Sequence, residues 1–240
     1  SNVRLGVNAG NSIVSGGNFN TVVGDEAGTA ITTGDLMTAV GYKALFTEDT
    51  GERSTAVGAF ALTAQNAAVE NYNTAVGYAA GTAVTTGVGN TFIGGLAGDA
   101  TTTADNNTAV GYLSLSANTT GHSNIAIGKS SLAANTDGHS NVSVGYLSLA
   151  SNTTADFNTG LGHKTLLLNT TGASNTAVGY HALDANTTAS NNTAVGTSAL
   201  TANTTGSENT AVGMSALAAN TTAANNAAFG VAALAANTTG

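Results

Sequence analysis

The chain has 240 residues, of which 42% are hydrophobic, 8% charged and 5% aromatic, and its formal net charge is −8. The absence of cysteine excludes disulfides and thiolate metal sites. The five lysines and arginines are scattered, so no basic patch is predicted for a nucleic-acid partner, and no apolar run is long enough to span a membrane.

A glycine that closes an Asn-Thr-Ala-Val-Gly cassette recurs from one end of the sequence to the other. It stands at Gly6, Gly24, Gly41, Gly58, Gly77, Gly94, Gly111, Gly128, Gly145, Gly162, Gly179, Gly196, Gly213 and Gly230. The spacing is 17 residues, except for 18 before Gly24 and 19 before Gly77. Such a period indicates a solenoid in which each repeat forms one coil. We expect residues 1–240 to form a single repeat domain that is a fragment of a longer fibrous protein.

Each coil begins with a predicted strand, and its positions are numbered here from the cassette glycine as 0. The Thr-Ala-Val segment predicts a short strand with positions −3 and −1 on one face and with position −2 and the glycine on the other. We expect the apolar residue at −1 to point inward together with the leucine at +4. The Ala-Leu-x-Ala-Asn segment that follows predicts a helical turn or a second short strand.

Asparagines recur at two further positions of the coil. Position −4 is Asn in twelve of the fourteen coils, and position +7 is Asn in the eight coils from Asn118 to Asn237. Stacked coils place identical residues above one another, so these amides are expected to hydrogen-bond along the stack. The predicted fold is an all-β, parallel β-solenoid of about 14 coils.

A coil with one valine-type and one leucine-type residue inside buries little apolar area. A surface shared between chains would compensate for this thin core. We therefore predict a parallel homotrimer in which the face of alanine and glycine makes the contact, with a monomer as the alternative.

The cassettes Asn107–Gly111, Asn124–Gly128 and Asn141–Gly145 resemble the head repeats of YadA-like trimeric autotransporter adhesins. The longer unit Asn175–Thr188 is similar to repeats of phage tail fibres. The adhesin resemblance implies a left-handed parallel β-roll, a trimer and attachment to a surface. It supplies no catalytic residues, and it places the protein outside the cell, on a bacterial surface or on the tail fibre of a virion.

Four tyrosines occupy position +1 in every second coil. They are Tyr78, Tyr112, Tyr146 and Tyr180. Aromatic rings on a solenoid face can stack on sugars, so these residues are candidate contacts for a host or cell-surface receptor, either glycan or protein. The alternative is that each ring packs on the neighbouring coil and leaves only its hydroxyl exposed.

Two histidines and one acidic segment are the remaining candidates for ligand binding. His122 and His139 both lie at position +11, and stacked on a three-fold axis they could bind a metal ion. Solvated turn residues are the alternative. The acidic segment Glu48–Glu52 has oxygen ligands for Ca²⁺ but lacks the spacing of a Ca²⁺ loop, so we expect a solvated turn.

No nucleophile is paired with a base, and the glycines do not form a phosphate-binding loop. We expect no enzymatic activity and no cofactor. The predicted function is a structural or adhesive rod, a segment of a phage tail fibre or of a bacterial surface adhesin. The alternative is an ice-binding solenoid that uses stacked threonines at −3, +8 and +9. The threonines at −3, such as Thr108, Thr176, Thr193 and Thr210, are expected to face inward, which argues against it.

Overall fold

The structure is a computed structural model that describes residues 1–67 and 70–239. It contains fourteen strands of three residues each. They are β1 (Val3–Leu5), β2 (Thr21–Val23), β3 (Thr38–Val40), β4 (Thr55–Val57), β5 (Thr74–Val76), β6 (Thr91–Ile93), β7 (Thr108–Val110), β8 (Ile125–Ile127), β9 (Val142–Val144), β10 (Thr159–Leu161), β11 (Thr176–Val178), β12 (Thr193–Val195), β13 (Thr210–Val212) and β14 (Ala227–Phe229). The described residues form no helix, and so none that could cross a membrane.

The chain divides into two compact units. Unit 1 runs from Ser1 to His122 and contains β1 to β7, and unit 2 runs from Ser123 to Gly240 and contains β8 to β14. Within each unit every strand pairs in parallel with the next strand along the chain. Equivalent residues face each other, as Val178 faces Val195. The predicted parallel β-solenoid with one coil per cassette is therefore confirmed.

The strand faces are the reverse of the prediction. In β2 to β14 the residue at −2 is buried, whereas the residues at −3 and −1 are half-buried or exposed. Alanines such as Ala39 and Ala177 therefore point inward, so this face is not available to a partner chain. The reason is the volume inside the coil, where space is short even for a methyl group. At Gly160, for example, an added Cβ would lie 2.6 Å from Ser148 Oγ.

The leucine at +4 is the main apolar residue of the interior, as predicted. It is fully buried in nine coils, at Leu45, Leu62, Leu115, Leu132, Leu149, Leu166, Leu183, Leu200 and Leu217. In four coils glycine replaces it, and other side chains fill the space. A Cβ on Gly28 would lie 2.6 Å from Ile31 Cδ1, and one on Gly81 would lie 2.8 Å from Phe92 Cδ2.

The predicted helical turn after the strand does not form. Positions +2 and +4 both have left-handed backbones, for example His181 with φ 54° and Leu183 with φ 52°. This alternation directs successive amides toward opposite neighbours. The N–H of His181 donates to His163 O in the preceding coil at 3.1 Å, and the N–H of Leu183 donates to Ala199 O in the following coil at 3.0 Å. Hydrogen bonds that a helix would keep within the segment therefore join neighbouring coils.

The predicted asparagine ladders are confirmed. In the ladder at −4, Asn158 Oδ1 accepts the backbone N–H of Asn175 at 2.9 Å, and Asn158 Nδ2 donates to Gly172 O at 2.9 Å. In the ladder at +7, Asn169 Nδ2 donates to Asn152 Oδ1 at 3.1 Å. All of these side chains are buried. The ladders satisfy polar groups inside the coil and fix the register between coils.

Candidate interaction surfaces

The part of the chain that the structure describes has no enclosed pocket, and no group of three or more histidine or acidic side chains in it could hold a metal ion. Contacts with a partner must therefore be made by exposed surfaces. Three such surfaces follow from the coil geometry: the outward side of the strands and two clusters of aromatic side chains at positions +1 and +2.

The outer strand face consists of the residues at −3 and −1 of each strand. In most coils it pairs a threonine with a valine, isoleucine or leucine, and it carries no charged side chain from β2 to β14. Val76 is 36% exposed and Ile93 is 40% exposed. The face is therefore both apolar and regular, because each strand is in register with the next within its unit.

The threonine hydroxyls of the outer strand face are available to an external partner. In the described residues they make no hydrogen bond to the protein at Thr21, Thr38, Thr55, Thr74, Thr91, Thr108, Thr159, Thr176, Thr193 and Thr210. The expectation that Thr108, Thr176, Thr193 and Thr210 face inward is wrong, because the residue at −2 takes the interior side of the strand. The threonines at +8 differ: Thr187 Oγ1, for example, donates to Thr204 O at 3.1 Å.

The four predicted tyrosines all reach solvent. Their exposed fractions are 60% for Tyr78, 51% for Tyr112, 42% for Tyr146 and 54% for Tyr180. Tyr78 also packs on Phe60, and Tyr146 and Tyr180 lie on either side of His163. Packing and exposure are thus combined in the same side chains, and the receptor role remains a prediction.

The Tyr42 cluster in unit 1 consists of Tyr42, Lys43, Phe60 and Tyr78. Phe60 meets Tyr42 and Tyr78 edge to face, with ring centroids 5.2 Å and 5.9 Å apart. Lys43 Nζ lies 5.3 Å from the centroid of Tyr42 and 3.2 Å from Glu26 Oε2. Hydrogen bonds to Glu26 and then to Tyr42 raise the pKa of Lys43. The cluster therefore holds a cation beside exposed aromatic rings.

The His163 cluster in unit 2 consists of Tyr146, His163, Tyr180, His181 and Asp184. The imidazole of His163 is stacked on Tyr180 with centroids 5.2 Å apart and an interplanar angle of 16°. Its other face meets Tyr146 at 5.3 Å. His181 Nδ1 lies 2.5 Å from Asp184 Oδ2. The sequence analysis named Tyr146 and Tyr180 but missed the two histidines, although the 17-residue register places His163 at the same position as both tyrosines.

His122 and His139 are not related to each other by the structure. His122 is the last residue of unit 1, and His139 lies in unit 2. His122 is exposed, and His139 is half-buried. The backbone N–H of His139 donates to Asp156 Oδ1 at 2.7 Å. The metal site predicted for this pair therefore remains a prediction.

A charged cluster lies at the step of 19 residues between Gly58 and Gly77. Arg53 pairs with Glu70, and its guanidinium lies 5.7 Å from the ring centroid of Tyr72. Tyr72 donates its hydroxyl to Glu70 Oε2 at 2.6 Å. The hydrogen bonds from Tyr72 and then from Arg53 lower the pKa of Glu70. We predicted a tolerated bulge over Gln65 to Tyr72, and Ala68 and Val69 in that segment lie outside the described residues.

A second polar network beside that step is buried, so the expectation of a solvated turn over Glu48–Glu52 is wrong for Glu48. Glu48 Oε1 accepts the N–H of Gly51 at 2.9 Å, and Oε2 accepts hydrogen bonds from Gln65 Nε2 at 2.7 Å and from Asn71 Nδ2 at 3.0 Å. Glu48 occupies position +7, where other coils carry the buried asparagine. Three donors offset the cost of burying its carboxylate.

These features define a parallel β-solenoid repeat protein whose exposed surfaces are a regular outer strand face and two aromatic clusters. In comparisons with known proteins, no protein-family model, no curated protein and no solved structure matches the chain. Its function must therefore be inferred from these surfaces.

Proposed function

We propose that this chain is a non-enzymatic structural and adhesive rod segment, extracellular, from a phage tail fibre or a bacterial surface adhesin. The observation that carries the proposal is the stack of in-register coils joined by backbone hydrogen bonds and asparagine ladders. Such a stack supports a long, regular surface from short repeats, because each coil contacts only its neighbours.

The proposal includes a parallel homotrimer, and the structure changes which face would form it. The alanine and glycine side of the strand is filled by the coil's own interior, whereas the outer strand face leaves valine and isoleucine side chains exposed. Burial of this face between three chains would remove apolar area from water and add to a thin core. The contact is therefore assigned to positions −3 and −1.

The mass in solution tests the trimer. Sedimentation equilibrium should give three times the chain mass of 23.2 kDa. The double variant Val178→Glu with Val195→Glu should sediment as a monomer with an unchanged circular dichroism spectrum, because two charges would be buried without partners. Thr188→Glu with Thr205→Glu is the matched control: both threonines are exposed away from the outer strand face, and this variant should remain trimeric. A stable wild-type monomer contradicts the proposal.

The adhesive part of the proposal rests on the exposed tyrosines. A glycan or protein on a cell surface would contact Tyr78, Tyr112, Tyr146 and Tyr180, whose rings offer apolar area and a polar hydroxyl. Binding of fluorescently labelled protein to intact cells should fall when all four are changed to serine. Replacement of four exposed threonines by serine serves as the control. Equal binding by both variants would remove these tyrosines from the proposal.

Ice binding is the second candidate, and the outer strand face favours it. Six successive strands in unit 1, β2 to β7, carry threonine at −3, and in the described residues none of these hydroxyls bonds to the protein. β-Branched side chains on a parallel sheet are stiff and repeat at about 4.8 Å, which gives a regular array of methyl and hydroxyl groups.

Thermal hysteresis distinguishes the two candidates, since a trimer that buries this face cannot present it to ice. A monomer that shows hysteresis, and loses it in Thr74→Lys with Thr91→Lys, would establish the ice-binding function. A trimer without hysteresis would leave the adhesive rod.

A further inference from the structure

Two imidazoles approach each other in unit 2 because of the coil register. His163 lies at +1, and His181 lies at +2 of the following coil, so the step of one coil places His163 beside Tyr180 and its neighbour His181. The ring centroids of His163 and His181 are 5.7 Å apart, with an interplanar angle of 37°. No part of the proposed adhesive function requires this arrangement.

The orientation of His181 is fixed through one ring nitrogen. Its Nδ1 lies 2.5 Å from Asp184 Oδ2, and Asp184 Oδ1 accepts a hydrogen bond from Thr201 Oγ1 at 2.8 Å. With the proton on Nδ1, Nε2 of the neutral ring carries an available lone pair. A histidine held by a carboxylate in this way has the arrangement found at metal-ligating histidines, where the carboxylate sets the tautomer and the ring direction.

His163 is held by its ring faces. Tyr146 and Tyr180 cover the two sides of the imidazole, so its nitrogens are directed along the ring edge. Within the described residues, Nδ1 of His163 is buried and has no hydrogen-bond partner. A buried polar atom without a partner is costly and needs a physical explanation. A ligand at the ring edge would supply one.

We propose that His163 and His181 together bind one divalent late transition-metal ion, such as Cu²⁺ or Zn²⁺, with Asp184 as the positioning residue. A Zn–N bond is about 2.0–2.1 Å and a ring nitrogen lies about 1 Å from its centroid, so two imidazoles that share an ion have centroids about 5–6 Å apart. The observed 5.7 Å falls in this range. Imidazole nitrogen suits both ions, and Cu²⁺ binds more tightly in the Irving–Williams order.

The site supplies two protein ligands, and water completes the coordination. This agrees with the absence of any metal-binding group of three histidine or acidic side chains in the part of the chain that the structure describes. The site is therefore an open one with exchangeable positions, unlike a closed structural zinc site with four protein ligands.

Tyrosine fluorescence provides a direct probe of this site. The chain has six tyrosines and no tryptophan, and Tyr146 and Tyr180 contact His163. Titration of the full chain with Cu²⁺ should quench part of the emission saturably, with one ion bound per chain. Isothermal titration with Zn²⁺ should give the same stoichiometry at lower affinity.

Variants separate this pair from the other histidines. His163→Gln and His181→Gln should each weaken Cu²⁺ binding by roughly tenfold or more, and Asp184→Asn should weaken it about 10–100-fold. The double variant His122→Gln with His139→Gln is the matched control and should bind Cu²⁺ as the wild type does. Circular dichroism should be the same for all variants, because these side chains lie outside the interior of the coil.

The proposal is overturned if the wild type shows no saturable binding. It is also overturned if His163→Gln and His181→Gln both bind as tightly as the wild type, or if only the His122 and His139 variant loses binding.

Discussion

Single residues in the coil interior exchange volume with one another. Where position +4 is leucine, position −2 is usually alanine; where it is Gly28 or Gly81, Ile31 and Phe92 occupy the space. Protein interiors are close-packed, so a glycine at +4 is tolerated only beside a larger side chain. The sequence shows both residues of each exchange, but only the structure shows that they touch.

The first prediction concerns Phe92, which is fully buried between Gly81 and Gly98. Phe92→Ala removes the ring from a site where neither glycine can fill the space, so the free energy of unfolding should fall by about 3–5 kcal/mol. Urea denaturation monitored by circular dichroism measures it.

Phe157→Ala is the matched control for this substitution. Phe157 is 64% exposed, so its removal should change the free energy of unfolding by no more than about 0.5 kcal/mol. Equal effects of the two substitutions would show that Phe92 does not fill the interior.

Glu48 shows what residue type alone misses. Its acidic neighbours favour a solvated turn, whereas its place at +7, the position of the buried asparagine, indicates the interior. Gln65 occupies +7 of the next coil and donates to Glu48. Register was the better guide here, because position in the coil determines burial and the side chain then needs partners.

At the scale of the strand, the alternation of residues was predictable and its direction was not. A period of two states which side chains share a face. It does not state which face is inside, and hydrophobicity favours Val178 over Ala177 for the interior. The coil is too narrow for that choice, since leucine and two asparagine ladders already occupy it. The partner-facing surface was therefore assigned to the wrong side.

The second prediction concerns the asparagine ladder at −4. Asn158→Leu keeps the size of the side chain but leaves the N–H of Asn175 without its acceptor. A buried donor without a partner costs about 1–3 kcal/mol, so the midpoint of urea denaturation should fall accordingly. Asn11→Leu, at an exposed asparagine, should have little effect. An unchanged midpoint for Asn158→Leu would mean that the ladder does not stabilise the stack.

The third prediction concerns the charged cluster of Arg53, Glu70 and Tyr72. The lowered pKa of Glu70 means that its ionised form is favoured in the folded protein, so its contribution to stability is present above the unfolded value of 4.5 and is lost as the pH falls. Tyr72→Phe removes the largest cause, and the pKa of Glu70 should move back toward 4.5. An NMR titration of the Glu70 side chain measures it.

Tyr146→Phe is the control for this titration, since Tyr146 belongs to the His163 cluster in unit 2. A Glu70 pKa of 4.5 or above in the wild type would contradict the assignment of these hydrogen bonds.

For the chain as a whole, the repeat length determined the fold class before any local propensity was considered. The cassette glycines predicted the number of strands, their parallel pairing and their register, because each coil must lie on the one before it. The metal cluster of unit 2 was beyond this reasoning. It depends on side-chain directions at +1 and +2, which follow from left-handed residues such as His181 that the helix-forming sequence did not indicate.

The fourth prediction tests the repeat length itself. Deletion of residues 176–192 removes one complete period of 17 and joins Asn175 to Thr193, so every strand face is preserved. The shortened chain should fold with a modest loss of stability. Deletion of residues 176–191 instead shifts the later coils by one residue and moves their outward side chains to the interior side. Circular dichroism and thermal unfolding should show that this second variant is far less stable; equal stability would refute coil-by-coil registration.

The uniform step between strands has a consequence for how such a gene can change. Unequal recombination between repeats that adds or removes 51 nucleotides would alter the length of the protein by one whole step of 17 residues and leave every remaining cassette in phase. Homologous chains should then differ in length by whole multiples of that step. The two irregular steps in unit 1 would act as fixed landmarks against which such gains and losses could be counted.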